Sequence, residues 1–382
     1  MPLEIRPVQD KKQLETFLRV PWTLGMKGDP NWVPPLLDDY RRMLDPKRSP
    51  FLEHGEASCW LALEDGRPVG RICAQVDSDF DKQWPAEADT AFFGFFESKD
   101  DPAVARALFA EAEKWARGKG RVRLRGPFTL DSKGEVGVLV EGFDTPNRVA
   151  MPHNRPYLGP LIEAAGYRKR KDLFAWWFTT GGAVDPLVHK VAERTRGLPE
   201  VRVRTMSLSR FREEAAIVRD VYNEAWAKNW CFTPFTATEL EIIATEDKLF
   251  IDTEIALVAE VAGKPAAICF AIPDVNELIK DFDGELMRRP WNLLKLLWRL
   301  KFRRPRHGRL ILLGVKEQYR ASRKYGALAA VLYEEVARRG AARGYLGGEL
   351  SWTLEDNDQI NRGIERMGAR KYKVYRVYEK AL

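Results

Sequence analysis

The sequence predicts an α/β protein, of the α+β kind with mixed sheets, built as two tandem copies of one unit. The first observation is length, because 382 residues with 45% apolar content are ample for two cores. The second is element order, since each half reads strand, helix, three strands, helix, strand, helix, strand. The third is a local match: Asn154 and Asn357 are each predicted to begin a helix, ending at Gly166 and Gly368 respectively. A tandem duplication explains all three.

The first half is predicted to form the N-terminal domain, residues 1–180. Asp65-Gly66 is the strongest hairpin signal in the chain, and Asp101-Pro102 is typical of a helix start. The predicted elements are strands at Leu3–Pro7, Ala57–Glu64, Pro68–Val76, Ala91–Glu97, Val122–Arg125 and Arg168–Phe178, with helices at Lys11–Arg19, Ala103–Arg117 and from Asn154 to Gly166. The Gly-containing residues 179–183 are the predicted linker.

The second half is predicted to form the C-terminal domain, residues 187–382. Its predicted strands are Val201–Met206, Ile255–Val261, Pro265–Ile272, Leu310–Val315, Tyr345–Trp352 and Lys371–Glu379. Its predicted helices are Arg210–Ala227 continuing into Thr238–Glu246, a helix after Gly326-Ala327 that closes on Gly340 and Gly344, and Asp356–Met367. This half differs from the first by an insertion at 286–307.

The insertion 286–307 carries the strongest local charge of the chain. Nine Lys or Arg and no Asp or Glu occur between residues 286 and 309. These nine positive charges exceed the net charge of +7, so the rest of the chain is slightly acidic. Basic residues from Arg288 to Arg306 accompany four apolar residues that share one side of a helical wheel: Trp291, Leu294, Trp298 and Phe302. This pattern is typical of an acidic membrane surface contact. A helix packed over a substrate cleft and an RNA contact are the alternatives.

Cysteine, histidine and hydropathy patterns exclude several classes of protein. The four Cys have no CxxC spacing and the four His are dispersed, so no disulfide framework and no metal site are predicted. No signal-type apolar core and no run of 18–20 apolar residues occurs. The expectation is a cytoplasmic protein, peripheral to the membrane if the 286–307 helix binds lipid.

The segment 309–344 is the strongest candidate for a ligand site. A strand, Leu310–Val315, leads into a turn with Arg320, Arg323 and Lys324, and a helix follows Gly326-Ala327. The first amides of a helix have no partner inside it and the helix dipole favours negative charge there, so this turn suits a phosphate. An ordinary strand–turn–helix with solvated arginines is the alternative.

A run of residues extends from Gly314 through Tyr319-Arg320 to Glu349, Ser351-Trp352 and Leu354–Asn357. With this run, the repeated unit resembles the Gcn5-related N-acetyltransferase (GNAT) superfamily, and the chain is similar to a bacterial tandem-GNAT family. The resemblance implies acetyl-CoA or another acyl-CoA as cofactor, with a strand along the pantetheine arm and a basic turn at the pyrophosphate. The implied cofactor-binding residues are Leu313, Gly314, Val315, Arg320, Arg323, Lys324, Tyr325, Gly326, Ala327 and Asn357.

The chain departs from the superfamily pattern in both halves. The turn is two or three residues longer than the superfamily motif, whose final Gly/Ala falls on Leu328. Ile364 and Ile162 stand where many members have a tyrosine that protonates the leaving thiolate. In the N-terminal repeat, Glu97 and Asp100-Asp101 occupy the region of the pyrophosphate turn and would repel a phosphate, so this repeat is expected to lack the cofactor.

Candidates for the catalytic groups are Glu349, Glu355 and Tyr375, because transfer to an amine needs a base and a donor. The alternatives are that Glu349 pairs with a nearby arginine, that Glu355 belongs to a helix cap, and that one of the closing tyrosines is core. Four acidic residues of a Gly-rich stretch are candidates for binding a cationic substrate, or else belong to a solvated loop: Asp131, Glu135, Glu141 and Asp144.

The leading function from the sequence is an acyl-CoA-dependent N-acyltransferase, and within the superfamily most simply an acetyltransferase. Its partner would be a small-molecule or peptide amine that attacks the thioester directly in a ternary complex. The alternatives are a non-catalytic module that senses acyl-CoA or a lipid, and an aminoacyl-tRNA-dependent transferase. Nucleic acid is the less favoured partner.

Overall fold

A computed structural model describes residues 3–245 and 250–382. The chain divides into two compact units. The N-terminal unit comprises Met1–Leu173, Ile279–Lys295 and Lys373–Leu382, and the C-terminal unit comprises Phe174–Leu278 and Leu296–Tyr372. These units differ from the predicted division into 1–180 and 187–382. The physical reason is strand pairing. Residues 174–179, at the end of the first half, complete the sheet of the C-terminal unit, and residues 373–381, at the end of the second half, complete the sheet of the N-terminal unit.

Between residues 3 and 179, the described part of the chain contains seven strands and five α-helices. The strands are β1 Leu3–Pro7, β2 Gly55–Glu64, β3 Arg67–Asp77, β4 Thr90–Ser98, β5 Arg123–Gly126, β6 Val138–Glu141 and β7 Arg168–Thr179. The helices are α1 Lys11–Thr23, α2 Leu37–Met43, α3 Ser78–Gln83, α4 Pro102–Gly118 and α5 Leu158–Ala164.

The sheet of the N-terminal unit has the strand order β1-β2-β3-β4-β5 and is completed by residues 373–381 of the last strand of the chain. The predicted β2–β3 hairpin is confirmed, and both turn residues, Asp65 and Gly66, have the positive φ that its tight turn requires. The predicted start of α4 is also confirmed, because the Asp101 side chain accepts from the Ala103 amide. α4 packs on the sheet through buried residues such as Leu108 and Phe109.

The second part of the chain continues the numbering. The helices are α6 Pro186–Arg196, α7 Phe211–Ala225, α8 Ala237–Thr245, α9 Asn276–Ile279, α10 Pro290–Phe302, α11 Glu317–Arg320, α12 Leu328–Ala342 and α13 Asp358–Arg366. The strands are β8 Val201–Thr205, β9 Ala256–Val261, β10 Lys264–Pro273, β11 His307–Val315, β12 Gly347–Leu354 and β13 Arg370–Ala381. None of the helices in the described ranges combines the length and apolarity needed to cross a bilayer.

The sheet of the C-terminal unit has the order β8-β9-β10-β11-β12 and is completed by residues 174–179 of β7. Strands β8 to β11 pair antiparallel, whereas β11 and β12 pair parallel across α12. α12 covers one sheet face through Leu328 and Leu332, and α7 covers the other through Val218 and Val221. Since α12 connects two parallel strands, it runs antiparallel to both.

Two sequence predictions were wrong in detail, and other elements were not predicted from the sequence. Asn154 does not begin a helix, because its side chain bonds the backbone of Leu139 at 2.8 and 3.2 Å, and α5 begins only at Leu158. The helix predicted to run from Arg210 into 238–246 is interrupted between α7 and α8, and residue 246 lies outside the described residues. Helix α6 was not predicted; Asp185 caps it by accepting from the Leu187 amide.

Candidate functional site

Two parallel strands of the C-terminal unit separate part of the way along their length. β11 and β12 pair over their first four residues, ending at Leu310 and Leu350, although the strands continue to Val315 and Leu354. At the point of separation the register of β11 with β10 jumps, because Phe270 opposes Leu312 and Ala271 opposes Leu310. Ile311 is therefore an extra, bulged residue. The opening beyond it offers a strand edge that an extended ligand could follow.

The implied pantetheine residues lie along this opening. Leu313, Gly314 and Val315 pair on their other side with β10. Gly314 is required by packing, because a Cβ there would lie 2.2 Å from the ring of Trp226 on the face covered by α7. The close packing of Trp226 thus fixes the position of the strand whose free edge borders the opening.

The matching opening of the N-terminal unit is occupied by the chain itself. β4 and β5 pair in parallel only up to Phe92 and Arg125, and Phe95 then adopts a φ of 49° at a register shift. The Phe128 amide donates to the Phe93 carbonyl at 2.7 Å, and Gln75 Nε2 donates to the Phe128 carbonyl at 2.9 Å. The backbone after β5 therefore fills the space that stays open between β11 and β12.

The basic turn lies between α11 and α12, as the sequence indicates. Arg320 and Arg323 are exposed, and neither makes an ion pair with any residue in the described parts of the chain. Lys324 is engaged differently, since it pairs with Glu200, whose carboxylate also accepts from the Tyr325 hydroxyl at 2.9 Å. The Lys324 ammonium lowers the pKa of Glu200 to about 2. Two arginines are thus available to an anion, while the lysine anchors the turn.

The amides of the turn are only partly available for a phosphate. Ser322 Oγ accepts from the Lys324 and Tyr325 amides, and the Ser322 carbonyl accepts from the Gly326 amide at 2.8 Å. The first helical backbone bond of α12 is that of Val331 to the Ala327 carbonyl. The Leu328 amide already donates to the Tyr325 carbonyl at 3.0 Å, so by helix geometry the amides of Ala329 and Ala330 are the first-turn donors for an anion.

A charged cluster lies at the closed end of the opening. Arg309 and Glu349 are directly opposite each other in the parallel register and are almost fully buried, with Arg309 Nε 2.9 Å from Glu349 Oε1. Glu349 also accepts from the Tyr372 hydroxyl, and Arg309 donates to Ser351 Oγ at 3.0 Å. Leu310 packs beneath α12, so the alternation of a strand directs Arg309 to the opposite face. Sequence reasoning named Glu349 but missed Arg309, because the register that pairs them is not visible in the sequence.

The three candidate catalytic residues belong to different elements of the fold. Glu349 lies within β12, whereas Glu355 lies in the turn that follows the end of this strand at Leu354. Tyr375 is fully buried and belongs to the N-terminal unit, opposite Leu139 of β6. Asn357, expected near the cofactor, caps α13 by accepting from the Ile360 amide at 3.3 Å. Ile364 is core, 2% exposed.

An apolar cavity of about 70 Å³ lies under the C-terminal half of α12. Leu310 and Leu350, the last paired residues of β11 and β12, line it together with Tyr333, Val336 and Gly340 of α12. Because α12 is antiparallel to β11, the basic turn, the opening and this cavity follow one another along one direction. An extended ligand anchored at the turn would point towards the cavity.

Two acidic groups lie elsewhere. Glu97 and Glu135, expected to repel phosphate or bind a cation, lie near Tyr40 in the N-terminal unit, where the Tyr40 hydroxyl donates to Glu135 at 3.0 Å. Burial raises the pKa of Glu97 to about 7.

A second group, in the C-terminal unit, comprises His189, Glu193 and Glu334, which are close enough to share a cation. Glu334 already pairs with His189 at 2.9 Å and with an arginine.

Known proteins resemble this chain in sequence and in fold. No protein-family model matches the chain. The chain is 38% identical over 381 residues to the bacterial ceramide synthase of Caulobacter vibrioides. The alignment covers 100% of this chain and 98% of that protein. It is 37% identical over 379 residues to protein YghO of Escherichia coli, covering 99% and 95%. A tandem GNAT protein from the clavulanic acid biosynthesis pathway superposes with a TM-score of 0.55 at 15% identity, covering 100% and 98%. The predicted tandem-GNAT fold is confirmed.

Proposed function

The chain belongs to the tandem-GNAT family that contains bacterial ceramide synthase and YghO, and from this premise we propose that it joins an acyl group from acyl-CoA to the amino group of a long-chain amine. The observation that carries the proposal is the separation of β11 and β12 beyond Leu310 and Leu350, between the basic turn and the apolar cavity. The cofactor is assigned to the C-terminal unit alone, because Phe128 and its neighbours fill the corresponding opening of the N-terminal unit.

In this proposal the pyrophosphate of CoA lies at the basic turn. Arg320 and Arg323 supply the charge, and the first amides of α12 supply hydrogen bonds. The pantetheine arm follows Leu313–Val315, whose edge towards β12 is open. The Ile311 bulge would then border the thioester, and a backbone amide left out of the ladder there would donate to the carbonyl oxygen as it gains charge.

The chemistry at the thioester is nucleophilic attack by an uncharged amine. The ammonium form must first lose a proton to a base, and the amine then forms a C–N bond as the C–S bond breaks. Glu349 and Glu355 stay candidate bases, and Glu349 additionally holds Arg309 and the Tyr372 hydroxyl in place. With Ile364 in the core, the thiolate takes its proton from a group other than a tyrosine at that position.

The acyl chain is proposed to enter the cavity under α12. Its apolar lining suits methylene groups rather than the single methyl of an acetyl group, so a longer acyl-CoA is favoured over the acetyl-CoA expected from the superfamily. Gly340 tests this, because a Cβ there would lie 3.8 Å from its nearest neighbours, so that a larger side chain would extend into the cavity.

The first experiment measures product. Purified protein is incubated with a long-chain amine and either acetyl-CoA or a fatty acyl-CoA, and the amide is detected by mass spectrometry. We expect amide from the fatty acyl-CoA. No product, together with no thermal stabilisation by any CoA at millimolar concentration, would contradict the proposal. Stabilisation without turnover would instead indicate a sensing module, and product only with charged tRNA an aminoacyl-tRNA-dependent transferase.

Two variant pairs locate the cofactor. Arg323→Ala should weaken CoA binding by about 1–3 kcal/mol, the range for losing a charge-assisted hydrogen bond. Lys324→Ala is the matched control, because this lysine is already paired with Glu200, so its loss should change affinity less.

A second pair of variants tests the acyl-chain cavity. Gly340→Leu should shift the preference towards shorter acyl chains. Gly363→Leu should not, because Gly363 is another helical glycine and has no atom within 4 Å of its Cβ position. Equal effects within either pair would refute that assignment.

A further inference from the structure

Helix α10 exposes large apolar side chains to solvent. Trp291 is 78% exposed, Phe302 63% and Trp298 55%. Leu294, Leu297 and the preceding Met287 are also exposed, at 59%, 43% and 62%. These residues make up most of the large apolar side chains that the described parts of the chain expose, so they form a patch rather than scattered single residues.

The orientation of α10 is fixed from its other side. Leu296 is fully buried, and Asn292 Nδ2 donates to the Glu285 carbonyl at 2.6 Å and to the Phe282 carbonyl at 3.3 Å. Trp291, Trp298 and Phe302 recur at helical spacing and lie on the side opposite Leu296. The helix therefore holds its aromatic side outward, which differs from the alternative of a helix packed over a cleft with only a basic stripe in water.

The patch is flanked by cations. Arg288 pairs with Glu15 at 2.8 Å, and Lys295 with Asp281. A further set of basic side chains is exposed and makes no ion pair with any described residue: Arg289, Lys301, Arg303, Arg304 and Arg306. Aromatic rings beside unpaired cations match the boundary between the headgroups and acyl chains of an acidic bilayer.

We propose that α10 docks this protein on the surface of a bilayer that contains anionic phospholipid. A 13-residue helix is roughly 20 Å long, shorter than the roughly 30 Å hydrocarbon core, so it lies in the interface rather than spanning the bilayer. A second copy of the chain is the less suitable occupant, because two such faces would bring their unpaired cations together without a partner. Lipid phosphates neutralise them.

This proposal goes beyond the acyl-transfer reaction and does not depend on it. Long-chain amines and fatty acyl groups partition into membranes, so docking would bring the protein to where such substrates concentrate. Vesicle binding can be measured without turnover. A failure of docking is therefore distinguishable from a failure of the acyltransferase assignment.

The experiment is flotation of the full-length chain with vesicles of phosphatidylcholine alone or mixed with phosphatidylglycerol. We expect binding to the mixed vesicles that weakens as salt rises, because exposed charges are screened. The triple variant Trp291→Ser, Trp298→Ser, Phe302→Ser should bind at least roughly tenfold more weakly. The double variant Arg303→Glu, Arg304→Glu should lose the preference for the anionic vesicles.

The control variant removes exposed apolar residues outside α10. Leu187 is 60% exposed and Val122 51% exposed, and changing both to Ser should leave flotation unchanged. Circular dichroism checks that each variant is folded. The proposal is overturned if the wild-type chain does not float with anionic vesicles, if the triple variant floats as well as the wild type, or if the triple variant changes only oligomeric state in light scattering.

Discussion

Replacing Glu349 by Gln would test the buried charge cluster of the C-terminal unit. The carboxylate of Glu349 is fully buried and accepts from both Arg309 and Tyr372. Gln has nearly the same volume but no charge, so the packing stays while Arg309, whose side chain is 4% exposed, loses the negative charge of Glu349. The substitution therefore isolates the electrostatic contribution.

The expected cost follows from desolvation. Removing one partner of a buried ion pair typically lowers stability by about 3–5 kcal/mol, because the remaining charge stays buried without compensation. The Gln side-chain oxygen can still accept from Arg309, so we expect the lower end, about 3 kcal/mol. For a unit of this size that corresponds to a fall in Tm of roughly 6–12 °C.

The assay is urea and thermal unfolding of the full-length chain, followed by circular dichroism. The double variant Arg309→Met, Glu349→Leu supplies the control, because replacing both charges by apolar groups is often nearly neutral. We expect it to be more stable than the single variants Arg309→Met and Glu349→Leu, which complete the double-mutant cycle. Loss of less than about 1 kcal/mol in Glu349→Gln, or simple additivity in the double variant, would refute the reasoning. A role of Glu349 as base is a separate prediction, read from the pH profile of kcat/KM below the Tm.

Three further outcomes concern other sites. Burial raises the pKa of Glu97 to about 7, so its neutral form stabilises the fold below about pH 4.5 and this stabilisation is lost as pH rises through about 7. Glu97→Gln should therefore leave the stability at acid pH unchanged and raise the free energy of unfolding at pH 8 by about 1–3 kcal/mol. Urea unfolding at both pH values measures this difference. Gly94→Ala would place a Cβ 1.8 Å from the Phe128 carbonyl oxygen and should cost about 3 kcal/mol or more, whereas Gly118→Ala, with nothing within 4 Å, should be tolerated in the same melts. Asn357→Ala should lower stability by about 1 kcal/mol through loss of the α13 cap, and an unchanged Tm would contradict that role.

Features that depend on neighbours in the chain were predictable. Asp65-Gly66 forms the hairpin turn because both residues tolerate positive φ, and Asp101 caps α4 because its carboxylate reaches an amide two residues on. The strand, basic turn and helix between residues 307 and 342 were also readable, since hydrophobic periodicity and turn chemistry are local. The GNAT resemblance drew on these same local patterns.

Asn154 and Asn357 mark the limit of that reasoning. Both were predicted to begin a helix, yet Asn357 caps α13 whereas Asn154 bonds the backbone of Leu139, fifteen residues away. An Asn side chain serves either purpose equally well, and the choice depends on which strand packs beside it. The sequence contains no local signal for that choice.

The amino-acid sequence by itself determined the two-fold repetition of elements, the basic turn with Arg320 and Arg323, and the amphipathic character of α10. Tertiary structure alone decided that Arg309 meets Glu349 across a parallel register, that Phe128 closes one opening while the other stays open, and that Trp291 points to solvent. Periodicity specifies which residues share a face, but burial and pairing depend on what a distant segment places against that face.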